Sequence, residues 1–278
     1  MRRKNEAILS ILYRLHIISP KGLFVWAKSL ISEGISLMAL LRFVAYFYPQ
    51  RCAVIDDCQS LTYRELYTRT RQLAQILYTK YHLQPKTRVA LIGRNSLTLT
   101  ILLHALSRLG IHTTLLSTDL GTEQITAALQ KRHYQLFVYD KELKQVPIET
   151  PCMAVTTETL SDILSSKEAQ TRDIKLPKIW RGGEITIHSG GTSGNFKTIA
   201  RRPSVTSFLP PLLALLHNIR IYEYKSVLIS LPFYHGFGLS TLIISLLMGK
   251  KICLQKRFDT LQTLAIIQQE KIEVMPIV

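Results

Sequence analysis

The chain has 278 residues, 47% hydrophobic and 19% charged, a balance that excludes disorder as its main state and suffices for one large domain or two smaller ones. Its net charge of +16, from 35 Lys and Arg against 19 Asp and Glu, suits an anionic partner: a membrane surface, a phosphate-rich ligand or nucleic acid. The basic residues are spread along the chain with no aromatic-interleaved basic motif, so nucleic acid is not the expected partner. Cys52, Cys58, Cys152 and Cys253 form no C-x-x-C pair and no zinc-spaced cluster. They read as reduced thiols of a cytoplasmic protein, and no metal site is expected from them.

Residues 1–48 read as an amphipathic helical extension. The start, "MRRKNEAILSILYRLHIISPKG", imitates a signal peptide, but Glu6, Arg14 and His16 interrupt its apolar run and no cleavage site follows. No uncharged apolar window reaches the length of a membrane span. In "LFVWAKSLISEGISLMALLRFVAYFYP", Lys28, Glu33 and Arg42 are set into an apolar background. Such helices either pack on the main domain or lie peripherally on an anionic membrane surface.

Pro49 ends the extension. "AVIDDCQSLTYREL" predicts two short strands around an Asp-Asp turn, then a helix opened by a Thr62/Glu65 capping box. Leu66, Leu73, Ala74 and Leu77 fall on one face of that helix, which is expected to run to about Tyr81. Strands and helices then alternate: "RVALIG", "SLTLTILLHALSRLG" closed by Gly110, "HTTLLS", "TEQITAALQKRH", "YQLFVYD", "CMAVTT" and "LSDILSSK". This alternation predicts parallel pairing through right-handed crossovers. Residues 165–183 read as a polar linker into a second lobe built from "EITIH", a helix "SFLPPLLALLHNI", "SVLISLP", "FYHGFGLSTLIISLLMG", "KICLQ" and "TLQTLAIIQQEK". The last segment, "IEVMPIV", reads as a further buried strand, so the chain is expected to be a truncated one.

The stretch "EITIHSGGTSGNFKTIARRPS" is the chemical centre of the sequence. A loop turning through Gly190, Gly191 and Gly194 can aim several backbone N–H groups at one anion, Thr192 and Ser193 add hydroxyls, and Lys197 adds a charge. The loop by itself is read equally well as a phosphate site or as a surface turn. A P-loop is disfavoured. "GTSGNFKT" puts Phe196 at its second glycine, and Pro203 stands where the obligatory helix would run.

The same residues resemble the phosphate loop of the adenylate-forming (AMP-binding) superfamily, whose pattern is Thr-Ser-Gly-[Ser/Thr]-[Ser/Thr]-Gly-x-Pro-Lys-Gly. The Gly-Thr-Ser-Gly-x-x-Lys core agrees, and Gly190, Phe196 and Thr198 depart from it. "LPFYHGFGL" resembles the superfamily's Leu-Pro-x-x-His-x-x-Gly motif. "LTYRELYTRTRQLAQIL" and "RVALIGRNSLTLTILLHALSRLGIHTTLLS" resemble its first helix and its first strand–helix–strand unit. "KRFDTLQTLAIIQQEKI" and the N-terminal extension look most like fatty acyl-CoA synthetases.

The expected fold is therefore α/β, with two stacked, mostly parallel-sheet lobes at about residues 49–180 and 181–278, helices on their faces and the extension in front. By resemblance it is an incomplete adenylation domain. The resemblance implies ATP, Mg²⁺ and coenzyme A, and a fatty acid or other carboxylic acid activated to an acyl-adenylate and passed to the thiol. It assigns Ser189 to Gly194 and Lys197 to the phosphates of ATP and His235 to the substrate and nucleotide pocket. Read alone, His235 is either a satisfied structural histidine or a ligand; its strand-end position favours the latter. Tyr234 and Phe237 read equally as core or as pocket wall. The family's Mg²⁺-holding glutamate, ribose-binding aspartate and catalytic lysine are expected downstream of Val278, so this chain alone is expected to be inactive. Two other readings stay open: a nucleotide- or fatty-acid-binding module, and a non-functional fragment.

Overall fold

The structure, a computed structural model, describes residues 9–147, 149–166, 174–189, 197–201 and 219–277. Residues 9–14 are helical. Then follow α1 (Pro20–Glu33), α2 (Leu37–Phe47), β1 (Cys52–Ile55), β2 (Ser60–Thr62), α3 (Tyr63–Thr79), β3 (Arg88–Ile92), α4 (Leu97–Arg108), β4 (His112–Leu116), α5 (Thr122–Gln130), β5 (Leu136–Tyr139), β6 (Met153–Thr156) and α6 (Thr157–Ser165). The remainder holds β7 (Ile185–Ser189), β8 (Lys197–Arg201), β9 (Ser226–Ile229), α7 (Gly236–Leu247), β10 (Lys251–Leu254) and α8 (Thr260–Glu270). The expected helix over "SFLPPLLALLHNI" lies outside the described residues.

Local chemistry accounts for the helix starts. The Thr62 side chain accepts the Glu65 N–H, and the Glu65 carboxylate accepts the Thr62 N–H at 2.8 Å, completing the expected capping box of α3. Leu66, Leu73, Ala74 and Leu77 are fully buried, as their spacing requires. Gly110 closes the turn after α4 at φ +71°, a conformation that L side chains rarely adopt.

Six strands form the first sheet, in the order β6-β5-β3-β4-β7-β8, parallel except for β8, which runs antiparallel to β7. The second has the order β2-β1-β10-β9, with β1, β10 and β9 parallel and β2 antiparallel to β1. Side chains alternate as the pleat demands. Val89, Leu91, Leu115, Leu136 and Val138 face one core, while Ala90, Ile92, Leu116 and Phe137 face another, closed by Ile125, Ala128 and Leu129 of α5. The first core also takes Val54, Val227, Ile229 and Ile252 from the second sheet. Between the two sheets α4 is buried at every residue, and its polar side chains are hydrogen-bonded inside the fold: Thr100 donates to Ser96 O, His104 contacts Thr100 O, Ser107 accepts the Leu37 N–H and Arg108 donates to Glu33.

The sheets do not follow the sequence break expected near residue 180. β7 and β8 join the first sheet beside β4, while β1, with β2 on its outer side, pairs with β10 in the second. Val54 pairs with Ile252, a separation over which no local pattern speaks. Nor is the described part of the expected linker a free tether. Ile35 donates its N–H to Trp180 O at 3.0 Å, Gly182 donates to Ile35 O at 2.9 Å, and Gln75 donates to Ile174 O. The last segment is not a buried strand either. Val274 makes a single parallel bridge to Val227 on the open edge of β9 and stays half-buried.

Of the two expectations for the extension, packing is what the described residues display. Val25 of α1 and Leu37, Met38, Leu41 and Phe43 of α2 enter the main core. Leu23, Phe24, Leu30 and Ile31 of α1 remain exposed. No described helix is long and apolar enough to cross a membrane.

His104 on α4 yields a pH prediction. It is 2% exposed, with Nδ1 2.8 Å from Thr100 O. Burial, against the bond to Thr100, holds its pKa down at about 4. The unfolded chain takes up a proton near pH 6.5 that the fold refuses until about pH 4, so stability is full above that window and falls as pH drops through it. The loss amounts to about 3 kcal/mol by the lower end. Urea unfolding of wild type and His104→Gln from pH 7 to 4.5 checks this. Their difference should shrink with falling pH, and parallel curves would contradict it.

Candidate active site

The first sheet has its topological switch point between β3 and β4. The chain leaves β3 through α4 on one face and β4 through α5 on the other. Ligands of open α/β sheets bind outside the carboxyl ends of strands at such a point. Here the two connections are residues 93–96 after β3 and Ser117–Asp119 after β4.

The turn carrying His235 leaves the carboxyl end of β9 in the other sheet and is fastened to this point. Asn95, 2% exposed, donates through Nδ2 to Leu231 O at 2.9 Å and to Ile229 O at 3.4 Å, and its Oδ1 accepts the Phe233 N–H at 3.1 Å. Two carbonyls and one N–H around one amide fix its orientation. Tyr234, 6% exposed, lies with its hydroxyl 3.0 Å from Thr118 Oγ1 and donates at 3.4 Å to Asp119 Oδ2. It is thus a buried strut between the sheets, whereas Phe237 is exposed. Gly238 is needed for this turn, because a Cβ there would stand 2.4 Å from Pro232 O and 2.6 Å from Leu231 O.

His235 sits at the N-cap of α7 and is exposed. Its backbone N–H donates to Pro232 O at 3.0 Å and its carbonyl accepts the Leu239 N–H at 3.2 Å. The ring neither caps the helix nor makes any hydrogen bond among the described residues; its one ring contact is with Tyr234, centroids 4.8 Å apart.

Ser189 ends β7, next to β4, with Lys197 as its cross-strand partner and the first residue of β8. Gly190, Gly191, Thr192, Ser193 and Gly194 lie outside the described residues. The backbone is therefore a hairpin whose connection, residues 190–196, leaves from the carboxyl side of the sheet. The segment after Phe196 is a strand and not a helix, which agrees with setting the P-loop aside.

Two further strand-end residues, Asp56 of the Asp-Asp turn and Asp140, brace the same edge. Asp56 accepts the Leu97 N–H at 2.8 Å through Oδ2 and the Cys58 and Gln59 N–H groups at 3.0 Å through Oδ1, joining the β1–β2 turn to the start of α4. Asp140, after β5, accepts the Arg94 N–H and the Thr157 hydroxyl, each at 2.6 Å. Burial pushes its carboxyl above the ordinary range, against those two bonds. Polar residues directly following apolar strands were the available signal for Asn95 and Asp140. Among the described residues no group of three His, Cys, Asp or Glu side chains could hold a metal ion, and all four cysteines are free thiols.

Two mostly parallel sheets, the first with a switch point between β3 and β4, define the class: an α/β protein. Residues 41–278 match the AMP-binding enzyme family, and the chain belongs to it. It is similar to the 2-succinylbenzoate–CoA ligase of Bacillus licheniformis, 25% identical over 231 residues that cover 83% of this chain and 47% of the relative. It is also similar to the ligase of the same name from Listeria innocua, at 26% identity over 241 residues, with 83% and 47% covered. The chain thus spans about half the length of these curated relatives. Among solved structures it superposes on o-succinylbenzoate CoA synthetase from Bacillus subtilis in complex with the acyl-adenylate intermediate OSB-AMP. The TM-score is 0.71 at 21% identity, with 85% of this chain and 60% of that one covered. The inhibitor-bound N-terminal domain of FACL13 from Mycobacterium tuberculosis gives a TM-score of 0.72 at 18% identity, with 87% and 62% covered. The α/β fold expected from the sequence is that of these N-terminal domains.

Proposed function

We propose that the chain is the N-terminal portion of an AMP-dependent acid–thiol ligase, which activates a carboxylic acid with ATP to an acyl-adenylate and passes the acyl group to coenzyme A. The observation that carries this reading is the meeting of the β7–β8 hairpin end, the Thr118–Tyr234 contact and the His235 turn around one switch point, in a chain of the AMP-binding enzyme family. Ser189 to Gly194 with Lys197 would hold the phosphates of ATP. The unpartnered imidazole of His235 would face the carboxylate and nucleotide. Attack of a carboxylate on a phosphate joins two anions, so donors fixed before the reaction would lower the barrier. Mg²⁺ would neutralise the polyphosphate. Among the described residues no His, Cys, Asp or Glu cluster stands ready to hold it. The acid is a fatty acid on the resemblance of the sequence, and an aryl acid such as 2-succinylbenzoate on the names of the relatives.

The test has two parts. ATP binding is measured on this chain and on Lys197→Ala. ATP–pyrophosphate exchange is measured after joining the chain to the C-terminal half of a relative, with fatty acids in one series and 2-succinylbenzoate in the other. Losing one charge-assisted phosphate contact should slow exchange about tenfold to a hundredfold. Unchanged kinetics in Lys197→Ala would remove the phosphate-loop assignment. ATP binding without exchange for any acid would leave a nucleotide-binding module.

A further inference from the structure

β1, β9 and β10 are parallel, so their amino ends lie together, at the end of the second sheet opposite the His235 turn. There the residues just before each strand (Tyr48 to Arg51, Tyr224 and Lys225, Gly249 and Lys250) meet the helical stretch around Ile11 and Arg14 and enclose a cleft of about 340 Å³. Four basic side chains line it, Arg14, Arg51, Lys225 and Lys250, against one carboxylate, Glu223. That carboxylate is taken by Arg220 at 2.5 Å. Glu273, nearby, accepts the backbone N–H groups of Lys225 and Ser226. Among the described residues Arg14 and the Lys225 ammonium form no ion pair.

Two of the four are held in place. Arg51 donates through Nη1 to Gly249 O at 2.8 Å, and its guanidinium lies 4.0 Å from the centre of the Tyr48 ring, leaving other donors free for a ligand. Lys250 is 2% exposed, and its ammonium donates to Ile221 O at 2.6 Å and to Tyr224 O. Carbonyls solvate a cation but do not neutralise it, and one of the three ammonium protons remains. Burial accordingly holds Lys250 down at about 8, with Glu273 working against it and Arg51 with it. A buried cation beside three further basic groups is most favourable when an anion supplies the missing charge.

We propose that this cleft binds a phosphate group, with Arg51 and Lys250 as its fixed base and Arg14 and Lys225 as its solvent-side arms. The phosphate comes either free, as on a soluble metabolite, or on the headgroup of an anionic lipid, for which Leu9 and Tyr13 stand exposed on the same helical stretch as Arg14. The site is separate from the ligase reading and does not rest on it.

Inorganic phosphate and pyrophosphate are titrated into the chain by calorimetry at constant ionic strength, with chloride as control. Vesicles of phosphatidic acid, with phosphatidylcholine as control, form the lipid arm. One arm is expected to give saturable binding that Arg14→Gln with Lys225→Gln weakens about tenfold or more. Both side chains are exposed, so the thermal unfolding curve should not move. Lys21→Gln with Lys28→Gln removes the same charge elsewhere and should leave binding intact. Equal affinity in the Arg14/Lys225 variant, equal loss in the Lys21/Lys28 variant, or binding in neither arm would overturn the proposal.

Discussion

Replacing Glu33 by glutamine is expected to cost about 3–5 kcal/mol of folding stability, the range found when one partner of a buried ion pair is removed. Glu33 closes α1 and is where four helices meet. Arg108 of α4 donates to Oε2 at 2.7 Å, Tyr67 of α3 to Oε1 at 2.8 Å, and Arg42 of α2 to Oε1 at 3.1 Å. The Glu33 and Arg108 side chains are each 7% exposed, so the substitution strands a guanidinium away from water. Pro177 O and Ser32 O also accept from Arg108, and neither carries a counter-charge. Burial alone would raise the Glu33 carboxyl, but the Tyr67 hydroxyl, Arg108 and Arg42 outweigh it and hold it below its ordinary value. The carboxylate's contribution is therefore complete above the unfolded glutamate value and is lost as pH falls through the lower, folded one. Denaturant midpoints of Glu33→Gln at pH 7 measure the cost. Glu33→Gln combined with Arg108→Met should recover part of it, since no charge is then left unpaired. A loss below about 1 kcal/mol in the single variant would mean that the pair is solvated.

Asn95→Leu is expected to cost about 3 kcal/mol or more, from buried polar groups left without partners at about 1–3 kcal/mol each. The side chain nearly fits, so the loss arises from Leu231 O and the Phe233 N–H and not from a cavity. Asn95→Asp is the informative companion. It keeps an acceptor for the Phe233 N–H and sets a carboxylate against the Leu231 carbonyl, so it should also destabilise. Hydrogen exchange adds a local readout. The Phe233 amide should lose protection in Asn95→Leu more than amides of β3 do, because the turn bearing Tyr234 and His235 comes free of the first sheet. Uniform loss of protection would assign Asn95 a merely global role.

Much of this protein follows from its sequence. Short apolar runs placed the strands, Thr62 and Glu65 placed the start of α3, and "SLTLTILLHALSRLG" placed the helix that Gly110 closes. The family was readable from an ordered series of motifs, because each is a contiguous run whose chemistry depends on neighbours in sequence. What the sequence could not settle was every choice that depends on distant residues. Val54 pairs with Leu61 of the next strand on one side but with Ile252 on the other, and β7 closes on β4, because the edge a strand joins is decided by which apolar face remains uncovered. Tyr234 could not be read as strut or pocket wall, since its partner Thr118 is 116 positions away in the chain. Asn95 was silent for the same reason. A lone amide after a strand acquires meaning only when a second sheet brings two carbonyls and an N–H within hydrogen-bond reach, and only the folded chain does that.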